Sequence, residues 1–380
     1  MFNLRIPGSV FAGSQALSSL QTLIGSGENV ALITDPGVEK AGCADLALWA
    51  LQRAGAHVRI LNEVPAEPAY TDVQRLAEEV AAGRFHAAVA VGGGSVMDTA
   101  KLCSLTADGN ATVKELLQSP EKGKKALRTI MIPTTAGTGA EATPNAIVAV
   151  PEEQVKTGIV NAAMIPDAAV LDPEMIRTLP RTIAAATGTD ALCHAIECYT
   201  SWAATPFSDL YALEALKLIF PHMAPACASK EALQSKAAML MAAFYGGVAI
   251  ACSGTTAVHA LSYPLGGKYH IPHGIANAVL LLPVMRFNLS ACRERLARVY
   301  DALSMKGAQG ADEKAQALLE RMEALLSQIG IPGNLSAYGV KMDGLEELVQ
   351  AGMGESRLLK NNKREVTPQD ARAIYRQVLS

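Results

Sequence analysis

Aromatic side chains make up only 5% of this sequence and charged ones only 18%. So few aromatics leave little to build base-stacking platforms. A net charge of −3 offers no electrostatic draw toward nucleic acid or an anionic membrane, so neither is expected as a partner. Cysteine is present without any C-x-x-C pair. The seven, Cys43, Cys103, Cys193, Cys198, Cys227, Cys252 and Cys292, are odd in number and scattered, as reduced thiols are and disulfide frameworks are not. The opening MFNLRIPGSVFAG lacks a basic stretch followed by an apolar one, so no signal peptide is expected and a cytoplasmic location is. Apolar runs such as Ala87–Val91 are too short to span a bilayer. Internal repeats, low-complexity segments and a G-x-G-x-x-G fingerprint are also missing.

What is present is apolar bulk: half of the residues, in a chain of 380. That length predicts two domains, and the composition excludes disorder. Up to residue 179, short β-type runs alternate with amphipathic stretches. Asn29–Thr34, His57–Leu61, Ala87–Val91 and Thr129–Ile132 read as strands. Helices are expected over Val38–Ala54, Thr71–Ala82 and Ser95–Thr106. Further short strands are expected between Ala146 and Leu171. This order implies an α/β domain over 1–179 with a parallel, doubly wound sheet. From 180 to 380 Ala, Leu and Met recur at helical spacing, as at Leu210, Leu213, Leu216 and Leu218, and an all-α domain is expected. Pro180, Pro221, Pro264, Pro283 and Pro332 are expected to separate its helices.

Three loops follow strands. Gly92, Gly93 and Gly94 lead into Ser95 and a helix whose first N–H groups suit a phosphate, with Asp98 expected in its first turn. A plain tight turn explains the glycines equally well. Thr134, Thr135 and Thr138, in PTTAGTGAE, place hydroxyls at the carboxyl end of the next strand, where open α/β sheets bind ligands; the alternative is a turn capped by threonines. Asp35 ends the first strand. A carboxylate there accepts from adenosine ribose hydroxyls and repels a 2′-phosphate, which favours NAD over NADP, unless Asp35-Pro36-Gly37 is only a turn.

In TGTDALCHAIE, Asp190 and His194 are four apart and share one face of a helix. His259 opens HALSYPLGG, and His273 lies in IPHG. One carboxylate and three imidazoles without a thiolate suit Fe(II), Zn, Co or Ni with a position left for a substrate oxygen. An Asp–His pair at this spacing also occurs as a simple hydrogen-bonded pair.

These residues carry a resemblance. GGGSVMDTAK (92–101), PTTAGTGAE (133–141), TGTDALCHAIE (187–197), the His259-to-His273 spacing and IPHGIANAVLLL (271–282) match, in order, the motifs of the iron-containing (group III) alcohol dehydrogenase family. LLKNNKREVTPQDARAIY (358–375) resembles the closing pattern of that family, with Lys363 where proline is usual. The resemblance runs nearly end to end. It implies a dinucleotide-binding domain, a helical domain, a metal in the cleft between them, and homo-oligomers. It assigns Asp190, His194, His259 and His273 to the metal, Asp35 to NAD preference and Lys156 to the neighbourhood of the cofactor. Tyr263 stands where the family commonly has a second histidine, in H-x-x-x-H-P-L-G. The proton-transfer role of that histidine does not carry over, and Tyr263 and His270 are the replacements to consider.

The implied activity is hydride transfer between NAD(H) and small alcohols or aldehydes, with Fe(II), or alternatively Zn, as Lewis acid on the substrate oxygen. Glycerol-dehydrogenase-like polyol oxidation, a dehydroquinate-synthase-like lyase and a non-catalytic binding protein are the alternatives. The substrate is not specified by these motifs.

Overall fold

The structure, a computed structural model, describes residues 3–152 and 155–379. The chain divides into two compact units, Arg5–Leu179 and the chain from Pro180 onward together with the residues before Arg5.

The first unit contains β1 (Ser9–Ala12), β2 (Asn29–Ile33), β3 (His57–Leu61), β4 (Ala87–Gly92), β5 (Arg128–Pro133), β6 (Asn145–Val150), β7 (Val155–Val160) and β8 (Ala168–Leu171). Six of these form a sheet in the order β1-β8-β5-β4-β2-β3, and every pairing in it is parallel. β6 and β7 pair antiparallel as a separate two-stranded sheet. The two-residue period of a strand splits the apolar runs between two cores. Val30, Leu32, Val89, Val91 and Ile130 face Leu20, Ala47 and Leu51 on one side. Ala31, Ile33, Ala88, Ala90 and Met131 face Leu76, Val80, Val96 and Met97 on the other. A strand covered on both faces needs no polar residue, and all of β4 is buried.

The helix expected over Val38–Ala54 is two helices, Pro36–Lys40 and Cys43–Arg53. Gly42 separates them in the left-handed region, at φ 77°. The helix after the glycines begins at Gly94 and runs to Thr106, which puts Asp98 beyond its first turn. Asp98 therefore does not serve the helix dipole there.

The second unit is built of helices. Those that position the site are Arg181–Thr200, Leu233–Ser253, Ala257–Tyr269 and His273–Ala302. Pro180 precedes the first of them. Pro221, Pro264 and Pro283 lie inside helices rather than between them, which corrects the expectation from sequence. Each removes one main-chain donor. Packing outweighs that loss: the Pro206–Ala228 helix, which contains Pro221, packs against Arg181–Thr200 and Leu233–Ser253. One turn before Pro264, the Tyr375 hydroxyl donates to the Leu261 carbonyl at 2.6 Å.

The helices Leu233–Ser253 and His273–Ala302 are long and apolar enough to cross a bilayer by length and composition, which uninterrupted runs in the sequence do not reveal. Sixty-one per cent of each apolar window is buried inside the protein, so these apolar faces are taken up by neighbouring helices.

Candidate active site

In the sheet unit, the connection from β2 leads to β3 on one side while β4 pairs on the other. The carboxyl ends of β2 and β4 are therefore the point where strand order reverses, the place at which open α/β sheets bind ligands. Asp35 follows β2, Gly93 and Gly94 follow β4, and Thr134, Thr135 and Thr138 follow β5. Gly92 is in register with Pro133, and the Thr134 amide donates to the Gly92 carbonyl at 3.0 Å. The glycine and threonine loops touch: a Cβ on Gly94 would lie 2.9 Å from Thr138 Cγ2. Gly93, at the N-cap of the Gly94–Thr106 helix, supplies no side chain to its first N–H groups. Gly93, Gly94, Ser95, Thr135 and Thr138 are all partly open to solvent.

Asp35 caps the Pro36–Lys40 helix, with Oδ1 accepting from the amides of Gly37 and Val38 at 2.8 and 2.9 Å. The turn reading of Asp-Pro-Gly thus holds for one carboxylate oxygen, and the other stays clear of that cap. Lys156, on β7, pairs with Glu67 at 2.6 Å. Glu67 has a positive φ of 55°, and its amide donates to Ser95 Oγ at 3.4 Å. Asp98 is buried and engaged at both oxygens, by Lys101 at 3.1 Å and by the Ile147 amide at 3.0 Å.

In the helical unit, Asp190, His259 and His273 have donor atoms all within 4.8 Å of one another. His194 adjoins them. The Nε2 atoms of His194, His259 and His273 lie 3.7, 3.6 and 3.7 Å from the same oxygen, Asp190 Oδ1. Two ligands about 2.1 Å from one cation at a tetrahedral angle are about 3.4 Å apart, so these separations fit a shared ion. His194 stacks on His259 with ring centroids 4.7 Å apart, and His273 meets His259 edge-on at 5.4 Å. Small residues permit this convergence: a Cβ on Gly274, next to His273, would lie 2.4 Å from the Ala186 carbonyl oxygen on the Asp190 helix.

Two residues that sequence reasoning missed complete the cluster. Glu197 is fully buried three residues after His194, on the same face as Asp190 and His194. Its Oε1 accepts from the Thr256 amide and hydroxyl at 2.9 and 2.8 Å and from the Val258 amide at 3.0 Å. Its Oε2 bonds His259 Nδ1. That bond holds a proton on Nδ1 and directs Nε2 toward Asp190. Asn277 lies one turn beyond His273, its Nδ2 2.7 Å from Asp190 Oδ1. The spacings 190/194/197 and 273/277 were the available signals, since each keeps polar residues on one face of an otherwise apolar helix.

The electrostatics favour positive charge at this point. Burial opposes ionisation of Asp190, yet the three histidines hold its carboxyl far below the usual range. Burial likewise opposes charge on His259, but Glu197 and Asp190 raise its pKa to about 9. The Tyr263 ring is 5.9 Å from that of His273, and burial pushes its phenol well above its ordinary value. His270 ends the His259 helix at φ 53°, exposed and outside the donor cluster. Lys268 pairs with Glu347 at the surface.

An open sheet with ligand loops at its switch point and a buried carboxylate–imidazole cluster are together the parts of a dinucleotide-using, metal-assisted oxidoreductase. Comparison with known proteins gives the family. The family model described as iron-containing alcohol dehydrogenase matches residues 7–173, and that of the C-terminal part of the Fe-containing alcohol dehydrogenase family matches 184–379. This chain belongs to the iron-containing alcohol dehydrogenase family. It is 34% identical to long-chain-alcohol dehydrogenase 1 of Geobacillus thermodenitrificans, over 92% of this chain and 89% of that one. It is 32% identical to the NAD-dependent methanol dehydrogenase of Bacillus methanolicus, over the full length of both. A crystal structure of 1,3-propanediol oxidoreductase superposes with a TM-score of 0.92, at 31% identity and 99% coverage of each chain.

Proposed function

We propose that this chain is an NAD-dependent oxidoreductase of small alcohols and aldehydes, in which Asp190, His194, His259 and His273 hold a divalent cation, Fe(II) in the first place and Zn in the second. The approach of three imidazole Nε2 atoms to one buried carboxylate oxygen, at 3.6–3.7 Å, carries this reading. A bound cation supplies Lewis acidity toward an alcohol or carbonyl oxygen, and NAD supplies the two-electron hydride couple.

The side chains supply position and proton control. Glu197 fixes the His259 ring so that Nε2 serves as a ligand. The cluster is buried apart from the partly open His273, which limits the water that reaches it. Tyr263, kept protonated by burial, is suited to donate a hydrogen bond to a substrate oxygen rather than to act as a base. In the sheet unit, the N–H groups from Gly94 onward and the hydroxyls of Ser95, Thr135 and Thr138 suit a pyrophosphate, and the second oxygen of Asp35 suits a ribose hydroxyl. Lys156 is assigned to the cofactor's neighbourhood, with Glu67 holding it. Asp98 is held by Lys101 and the Ile147 amide, and its part toward the cofactor is indirect. The protein is further assigned to the cytoplasm, in keeping with its seven free cysteines, and, by family resemblance, to a homo-oligomer.

Anaerobic reconstitution with Fe(II) or Zn, followed by NADH oxidation across a panel of small aldehydes, tests the proposal. Metal-dependent turnover is expected in the wild type and not in His259→Ala or Asp190→Asn. Net NADH formation from a simple alcohol separates this reading from a dehydroquinate-synthase-like lyase, which returns its cofactor unchanged. Turnover that survives both substitutions and metal removal would overturn it.

A further inference from the structure

Asn277 is fully buried, and its amide lies against the donor cluster. Nδ2 is 2.7 Å from Asp190 Oδ1 and 3.1 Å from the Nε2 atoms of both His259 and His273. One –NH2 group thus donates to the carboxylate oxygen and faces two ring nitrogens. The other end of the same amide, Oδ1, is buried without a hydrogen-bond partner. A buried carbonyl oxygen left unpaired is costly, and the cost calls for an explanation at the site where it occurs.

We infer that Asn277 is a two-position amide. Either its nitrogen or its oxygen can face Asp190, His259 and His273, and its oxygen faces a bound cation. The inference rests on the metal-binding reading above and adds a fifth group to it. A half-turn about the terminal side-chain bond exchanges N and O with almost no change of shape. In one position the –NH2 group donates to Asp190 Oδ1. In the other, the unpaired Oδ1 turns toward positive charge, and that attraction offsets the buried position the –NH2 group then takes. Asn277 lies one turn from His273 on the same helix, so the amide and that ligand are held to one frame. A hard carbonyl oxygen beside a carboxylate and imidazoles suits Fe(II) or Co(II), which accept five or six donors.

Cobalt(II) alone is the probe, because its visible absorption weakens as coordination rises from four toward five or six. Apoprotein prepared with a chelator is titrated anaerobically with Co(II), reading both the spectrum and the Kd by chelator competition. The wild type is expected to bind one equivalent with the weaker bands of a site above four-coordinate. Asn277→Ala should weaken binding by about tenfold and shift the spectrum toward the intense four-coordinate form. Asn277→Asp, which always presents an oxygen, should keep the wild-type spectrum and bind at least as tightly. Should the alanine variant fail to fold, the aspartate variant decides: weaker binding there overturns the inference. An alanine variant with wild-type spectrum and affinity within about twofold also overturns it while leaving the metal site standing. A wild type that takes up no cobalt defeats both the metal-binding reading and this one.

Discussion

Replacing Glu197 by glutamine alters neither size nor shape, but it reverses one hydrogen bond at the centre of the cluster. Oε1 accepts from the Thr256 amide, the Thr256 hydroxyl and the Val258 amide at 2.8–3.0 Å. A glutamine must keep its oxygen on that side, since the donors there, the His259 amide among them, reject an –NH2 group. Its nitrogen is then forced against His259 Nδ1. The ring answers by moving its proton to Nε2, and an Nε2 that carries hydrogen is no longer a ligand. Loss of an outer carboxylate of this kind costs about 10- to 100-fold in metal affinity, or about 1.4–2.8 kcal/mol. The three retained hydrogen bonds predict that the Glu197→Gln protein folds normally. The assay is Zn or Co(II) affinity by competition with a chromophoric chelator, alongside circular dichroism. A folded variant that binds metal within about twofold of wild type would refute the argument, for it would mean that the carboxylate does not set the His259 tautomer.

Two further consequences concern stability. Glu141 is buried, and burial raises its pKa to about 7 against the opposing effects of a backbone hydrogen bond and Lys101. A carboxyl with a folded pKa above its unfolded value leaves stability intact below about pH 4.5 and withdraws it as pH rises to 7, by on the order of 3 kcal/mol. Glu141→Gln should therefore gain on the wild type between pH 5 and pH 8 in urea unfolding, and a difference independent of pH would contradict the assignment. At Gly274, an added methyl would meet the Ala186 carbonyl oxygen at 2.4 Å, both partners being on helices. Gly274→Ala should cost about 1–3 kcal/mol and also weaken metal binding by displacing His273; unchanged thermal unfolding would show that the two helices separate freely.

How far the sequence could be read depended on the range of the forces at each point. The strands from β2 to β5 were legible because burial on both faces demands unbroken apolar runs, and no distant residue alters that demand. The break at Gly42 was harder to see, since the apolar pattern continues across it and only the backbone changes hand. Pro221, Pro264 and Pro283 misled for the opposite reason. A proline rule counts the main-chain bond that is lost nearby, while the helices are held by partners far along the chain, such as Tyr375 on Leu261. Around the cluster, the face shared by Asp190 and His194 followed from helical spacing alone. The orienting contact of Glu197 with His259 joins residues 62 apart, and nothing local to either announces it. Spacing alone suits Asp98 to the dipole of its helix, whereas in the fold Lys101 and the Ile147 amide claim both of its oxygens.

The three imidazoles of the cluster come from three different helices, Arg181–Thr200, Ala257–Tyr269 and His273–Ala302. A cation bonded to all of them would act as a cross-link, closing loops that the polypeptide itself leaves open. Chelation would then do more than remove a reagent from the enzyme. It would unfasten three cylinders whose mutual angles are otherwise kept by methyl groups and a few glycines, and the slowest amide hydrogens along their facing sides would become exchangeable. On this view the ion is as much a part of the scaffold as of the chemistry, much as a bolt belongs both to the hinge and to the door.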